Sequence, residues 1–97
     1  MRRSQPHKAA EGPKIRRLAA SDSVDILFGC DEKLRKHEIW RPDVLCGLKT
    51  CSVVGSERCG QEWRRTVRGY DREDNEIFLV ITVDQHRRLI AVIDGWR

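Results

Sequence analysis

Arginine and carboxylate side chains alternate with apolar ones along residues 62–72, and this spacing places the charged groups on one side of a predicted strand. Successive side chains of a strand point to opposite faces of a sheet. One face of this strand carries Glu62, Arg64, Thr66, Arg68 and Tyr70, and the other carries Trp63, Arg65 and Val67. Because Trp63 and Val67 are expected to face the core, the face with Arg64 and Arg68 is predicted to be exposed.

The exposed residues could assemble a site that cleaves RNA without a metal or a cofactor. A guanidinium group keeps its charge and donates paired hydrogen bonds to a phosphate. An imidazole titrates near neutral pH and can move a proton. The predicted catalytic residues are Arg64 and Arg68 as phosphate clamps, with His86 or Glu62 as the base. The predicted RNA-binding residues are Arg64, Arg68, Tyr70 and Arg88, with Tyr70 stacking on a base or serving as an acid.

The same residues also fit an interpretation without chemistry. Arginines that alternate with apolar residues are typical of a solvated strand face, where they cross to carboxylates such as Glu76 and Asp94. A histidine in a polar turn, such as His86, is usually exposed to solvent. The three tryptophans are more typical of packing than of base stacking.

The cysteines favour neither a metal site nor a disulfide framework. Cys30, Cys46, Cys51 and Cys59 lack the close pairing of ligands that a structural zinc site uses. A zinc ion could still be bound if Cys51, Cys59 and His37 converged in space. We expect free thiols with a structural role, and no metal.

The pattern of apolar residues predicts an α+β fold. A helix is predicted from Lys14 to Ala20, a short turn of helix from Glu32 to His37 with Asp31 as its N-cap, and a clearer helix over 41–50, where Pro42 suits the first turn. Segment 21–29 fits either a strand or a capped helix. Strands are predicted from Ser52, over 62–70, over 77–83 and from Arg88 to Ile93, joined by short polar turns. The expected architecture is two or three short N-terminal helices packed on a three- to four-stranded antiparallel sheet.

The third of these strands, Ile77–Val83, is apolar on both sides. This pattern is typical of a central strand that is covered on both faces, by a helix on one and by a neighbouring layer on the other. We therefore expect apolar side chains on both faces of the sheet at this strand.

Length and charge indicate one domain with a basic leader. The 97 residues suit a single core. Residues 1–20 carry a net charge of +5, whereas residues 21–97 carry −1. We therefore predict a flexible basic tail over 1–13 and a single α+β domain over 14–97. No apolar run is long enough to span a bilayer, and the first residues do not form a secretory signal, so a cytoplasmic location without membrane contact is expected.

Four apolar blocks resemble a known family. They are Ile39-Trp40-Arg41-Pro42-Asp43-Val44 with Leu48, Trp63 with Val67-Arg68-Gly69 and Asp71, Leu79-Val80-Ile81, and Leu89 with Val92-Ile93 and Trp96. Over about residues 30–97 this arrangement is similar to small bacterial domains of unknown function that are related to the RelE-like toxin superfamily, including the motility quorum-sensing regulator (MqsR-like) messenger-RNA interferases.

The resemblance implies helices that precede a curved antiparallel sheet whose exposed surface grips RNA with basic and aromatic side chains. It also implies attack of a 2′-hydroxyl on the adjacent phosphate, and an antitoxin protein as partner. Where such toxins often place tyrosine, lysine or glutamine, this chain has Phe78, and it ends in Trp96-Arg97. The resemblance therefore implies the location of a binding surface and not a set of catalytic residues.

Two functional hypotheses follow from the sequence. The first is a toxin-like domain that binds or cleaves RNA and pairs with an antitoxin. The second is a non-catalytic protein-interaction module on the same fold. A nuclease requires Arg64, Arg68 and a titratable group to converge in one concavity, whereas an interaction module presents an apolar patch or an unpaired strand edge.

Overall fold

The computed structural model describes residues 6–97, with side chains from residue 11 onward, as three helices and five strands. The helices are α1 Pro6–Ala20, α2 Cys30–Lys36 and α3 Arg41–Lys49. The strands are β1 Val24–Ile26, β2 Ser52–Cys59, β3 Glu62–Tyr70, β4 Glu76–Asp84 and β5 Leu89–Trp96. The predicted α+β class is confirmed.

The strands form one mixed sheet in the order β1-β5-β4-β3-β2. Strands β2 to β5 make the antiparallel meander that their short turns predict. Strand β1 adds a fifth strand that runs parallel to β5, with Val24 opposite Ile90 and Ile26 opposite Val92. The sheet therefore has one strand more than the three to four that were predicted. It is also mixed and not wholly antiparallel, because β1 runs parallel to β5.

Helix α1 is longer than predicted. It begins at Pro6 rather than at Lys14, and it runs through Gly12 and Pro13. A glycine followed by a proline normally marks a helix start, because proline lacks the N–H that an interior turn uses. Of the predicted flexible tail over 1–13, residues 6–13 belong to this helix and residues 1–5 lie outside the described part of the chain. No helix within the described residues is long and apolar enough to cross a membrane.

All three helices pack on the same face of the sheet, and the core lies between these two layers. The sheet contributes Val67, Ile77, Leu79, Ile81, Ile90 and Val92 to this core. The helices contribute Ile15, Ala19, Cys30, Leu34, Val44 and Leu48. Within residues 6–97, the opposite face of the sheet is covered by neither helix nor strand.

Helix α3 approaches β3 so closely that both elements need glycine at the crossing. A Cβ at Gly69 would lie 2.0 Å from the carbonyl oxygen of Gly47. A Cβ at Gly47 would lie 2.6 Å from Cδ1 of Ile77. A glycine inside a helix lowers the stability of that helix. Close packing against the sheet explains why α3 nevertheless has one at position 47.

Candidate functional site: an open sheet face

The uncovered face of the sheet, which we call the open face, is defined by the strand alternation. It carries Glu62, Arg64, Thr66, Arg68 and Tyr70 from β3, Glu76, Phe78, Val80, Thr82 and Asp84 from β4, and Leu89, Ala91, Asp94 and Trp96 from β5. The edge strands add Asp25 opposite Ala91 and Glu57 opposite Arg64. The predicted alternation of β3 is confirmed for Val67, which is fully buried, and for Arg64 and Arg68, which are on the open face. The prediction that Trp63 faces the core is wrong, because this side chain lies at the start of β3, outside the core, and is 41% exposed.

Aromatic side chains form the apolar part of the open face. The rings of Phe78 and Trp96 stack across β4 and β5, with centroids 5.8 Å apart and planes inclined by 16°. Arg68 lies opposite Phe78 on the neighbouring strand, so these residues form one row across the sheet. Tyr70 and Trp96 are 39% and 36% exposed, which is high for side chains of this size.

Each arginine of the open face is paired with a carboxylate of the same face. Arg64 Nε lies 3.4 Å from Glu62 Oε2, and Arg68 Nε lies 3.7 Å from Glu76 Oε2. All of these side chains are about half exposed, so the pairs are weak and solvated. The pairing of Arg68 with Glu76 is the one that a solvated strand face predicts.

The charge of the open face is acidic. Its guanidinium groups are Arg64 and Arg68. Its carboxylates are Asp25, Glu57, Glu62, Glu76, Asp84 and Asp94. The resulting potential disfavours a polyanion and favours a cationic ligand.

The predicted catalytic residues are divided between separate parts of the sheet. Glu62 and His86 line the same cavity of about 550 Å³, which opens where β3 extends beyond its pairing with β4 at Arg65–Ile81. Arg64 and Arg68 do not line this cavity, and neither does Tyr70. The structure thus places Glu62 in one cavity with His86 and in an ion pair with Arg64, whereas Arg68 pairs with Glu76 instead.

His86 and Arg88 lie in and beside the turn between β4 and β5. Asp84 Oδ1 accepts hydrogen bonds of 3.0 Å from the backbone N–H groups of His86 and Arg87, which shapes this turn. Arg88 adopts a left-handed backbone with φ of 51° and lines a different cavity from His86. The predicted RNA-binding residue Arg88 lines its cavity without Arg64 or Arg68.

Arg65 is a residue that the sequence interpretation missed. Its side chain is 10% exposed, lies 5.3 Å from the ring of Trp63, and has Nη2 at 3.9 Å from Glu11 Oε1. Among the described residues, no acceptor lies within hydrogen-bonding distance of its Nε. The available signal was an arginine at a core-facing position between Trp63 and Val67, because burial of a charge is costly unless it is paired.

Two buried carboxylates, Asp43 and Asp71, each bind an arginine near the end of the sheet where Trp96 lies. Asp71 Oδ2 accepts a 2.5 Å hydrogen bond from Arg97, and Asp43 Oδ1 accepts one of 2.9 Å from Arg72. Burial opposes ionisation of both carboxyls, but these arginines and nearby backbone N–H groups outweigh it and hold the pKa of Asp43 and of Asp71 below the usual value. Their partners are internal, so these groups stabilise the fold.

Cys30 and Cys51 are not activated thiols of the kind that a nucleophile needs. Burial raises the pKa of Cys51 to about 11 and also raises the pKa of Cys30, so both thiols are protonated at neutral pH. All four cysteines are free. Among the side chains of residues 11–97, no group of three or more histidine, cysteine or acidic residues is arranged to bind a metal ion.

Comparison with known proteins does not assign the chain to a family. No family model matches it, and no match was found to a curated protein or to a solved structure. The geometry of the open face and of the cavities is therefore the basis for a functional proposal.

Proposed function

We propose that this domain is a non-catalytic protein-interaction module. Its open face binds a partner protein through a segment that presents apolar and basic side chains. The observation that carries this proposal is that the middle of β4 places Phe78 and Val80 on the side of the sheet that the helices leave uncovered. Phe78 and Val80 stand where a buried strand would be covered by a second layer.

The charged residues around Phe78 and Val80 indicate which kind of surface the partner should present. Carboxylates of the open face outnumber its guanidinium groups, and Glu76 and Asp94 lie beside the aromatic pair. An amphipathic segment with basic side chains beside an apolar stripe would complement this arrangement, since complementary charge steers association and selects partners. An antitoxin, the partner that the resemblance implies, would be one protein of this kind.

RNA binding or cleavage is the competing hypothesis. A site for phosphodiester cleavage needs its clamps and its proton-transfer groups in one concavity. Neither Arg64 nor Arg68 lines the cavity that Glu62 and His86 line, although Arg64 pairs with Glu62. Both arginines also have carboxylate neighbours that would repel a phosphate. An interaction module is therefore the function that the geometry supports best.

The test is calorimetric titration of the protein with a lysine–leucine amphipathic peptide. A glutamate–leucine peptide of the same pattern is the charge control. Binding of the lysine peptide by the wild type is expected to weaken at least about tenfold in the Phe78→Ala/Trp96→Ala double variant. Trp63→Ala, which removes a tryptophan from the opposite face, is the matched control and is expected to bind as the wild type does.

The same proteins are then incubated with a single-stranded RNA in the presence of EDTA. Cleavage by the wild type but not by Arg64→Ala/Arg68→Ala would establish the nuclease hypothesis and overturn the interaction module. Equal affinity for both peptides, or an equal loss in Trp63→Ala, would show that the aromatic pair is not the docking surface.

A further inference from the structure

A second cavity, of about 420 Å³, lies between α1 and the turn that joins β4 to β5. Helix α1 lines it with Lys14, Arg17 and Leu18, which are spaced so that they share one side of the helix, and Ser21 of the turn after α1 adds to the lining. The sheet and its turn line it with Val83, Asp84, Gln85 and Arg88. We call this cavity the basic pocket; His86 does not line it.

The positive groups of the basic pocket are without counter-ions among the described residues. Lys14 Nζ donates to the amide oxygen of Gln85, which is neutral. Arg17 and Arg88 have no ion pair and no side-chain hydrogen bond within residues 11–97, the part of the chain whose side chains are described. This contrasts with Arg64 and Arg68, each of which has a carboxylate partner.

Asp84 is the one acidic side chain among the described residues that line the basic pocket. Its Oδ1 is already an acceptor for two backbone N–H groups of the turn, which offsets part of its charge. Three cationic side chains against this single carboxylate leave the pocket with an excess of positive charge. Like charges that converge on a cavity repel one another, and an anion in the cavity relieves that repulsion.

We propose that the basic pocket binds a phosphate group. Arg17 and Arg88 would each offer a planar pair of N–H donors to the phosphate oxygens, and Lys14 would add a compact charge. The hydroxyl of Ser21 lines the same cavity and can donate a hydrogen bond. Arg88 has a left-handed backbone conformation at the point where it lines the pocket.

This inference does not depend on the aromatic pair of the open face, because the cationic residues of the basic pocket belong to α1 and to the turn between β4 and β5. The phosphate could belong to a small phosphorylated molecule or to a nucleic-acid backbone. Both sources present the same oxyanion to the same side chains, and two arms of one experiment distinguish them.

The first arm is titration with inorganic pyrophosphate, followed by calorimetry. Arg17→Gln and Arg88→Gln are each expected to weaken binding about tenfold, since each removes charge-assisted hydrogen bonds. Arg87→Gln is the matched control: it makes the same charge change one residue away, on a side chain that lines the other cavity. It is expected to bind pyrophosphate within about twofold of the wild type.

The second arm is binding of a single-stranded oligouridylate at several salt concentrations. If the source is a nucleic acid, the slope of log affinity against log salt falls by about 0.7 for each phosphate contact that a variant loses. If pyrophosphate binds and the oligonucleotide does not, the source is a small molecule.

Absence of pyrophosphate binding by the wild type would overturn the proposal. An equal loss in Arg87→Gln would do so as well, because the effect would then reflect net charge and not the pocket. Unfolding curves for all variants, which change exposed side chains, are expected to coincide with that of the wild type and to exclude misfolding as the cause.

Discussion

The rings of Phe78 and Trp96 stack on a face of the sheet that none of the described helices covers, with centroids 5.8 Å apart. Stacked aromatic pairs contribute about 0.5–1.5 kcal/mol beyond the area they bury. A double-mutant cycle with Phe78→Ala and Trp96→Ala is therefore expected to give a coupling energy in that range. Urea unfolding monitored by circular dichroism measures it, and additive single effects would show that the rings do not interact.

Arg97 fastens the turn after β3 to the connection between α2 and α3. It donates to Asp71 Oδ2 at 2.5 Å, to the carbonyl oxygen of His37 at 2.7 Å and to that of Glu38 at 3.0 Å. Arg97→Gln is expected to lower the free energy of unfolding by about 2–3 kcal/mol, because it leaves a buried carboxylate without its charged partner. Urea unfolding at neutral pH measures this loss.

The control for Arg97 is the exposed pair of Arg35 and Asp31 on α2. Arg35→Gln removes the same group from a pair in which both side chains are about half exposed, and it is expected to cost less than about 1 kcal/mol. An equal loss in the free energy of unfolding in the two variants would mean that the contribution of the Arg97 contact does not come from the burial of Asp71.

Acid stability is expected to depend on Asp43 and Asp71. The pKa of each is below its ordinary value of about 4 because arginine and backbone N–H donors outweigh the effect of burial. A group whose pKa is depressed by folding stabilises the protein fully above its unfolded-state pKa, and this contribution is lost as the pH falls through the folded-state pKa.

The measurement is the free energy of unfolding as a function of pH. The wild type is expected to lose stability progressively below about pH 5. Asp43→Asn and Asp71→Asn should each start from a lower stability at neutral pH and show a shallower loss in acid. Parallel curves for wild type and variants would show that these carboxyls are not the groups that titrate.

The crossing of α3 over β3 makes Gly69 intolerant of a side chain. Its Cβ would lie 2.0 Å from a backbone carbonyl oxygen, which cannot move without shifting the helix. Gly69→Ala is expected to cost about 3 kcal/mol or more in the free energy of unfolding. Gly29→Ala, where a Cβ meets nothing within 4 Å, is the control and is expected to change stability by less than about 1 kcal/mol. A tolerated Gly69→Ala would contradict the observed crossing.

Local patterns predicted the meander well. Strand β3 was predicted over 62–70, its observed range, because charged and apolar residues alternate along it and a polar turn follows. Strand β4 was predicted within one residue at each end for a similar reason. In these segments the local periodicity and the tertiary environment agree.

Long-range pairing limited the prediction elsewhere. Strand β1 has three residues, too few for a period, and its direction is set by β5, more than sixty residues later. Helix α1 passes through Gly12 and Pro13, where local preference indicates a helix start. The side of β3 that was predicted to carry the site is exposed, as expected. The position of His86 relative to β3 depends on where the pairing of β3 with β4 ends, at Arg65–Ile81, and no local sequence pattern encodes that end point.

The measurement that tests the central claim most directly is amide chemical-shift mapping of the labelled protein during titration with the lysine–leucine peptide. The largest shifts are expected at Phe78, Val80 and Trp96, with the helices unaffected. Shifts confined to α1 and α3, or no shifts at peptide concentrations that saturate the calorimetric signal, would contradict docking on the open face. Shifts of the same open-face amides on addition of single-stranded RNA alone would show that this surface serves a nucleic acid and not a protein.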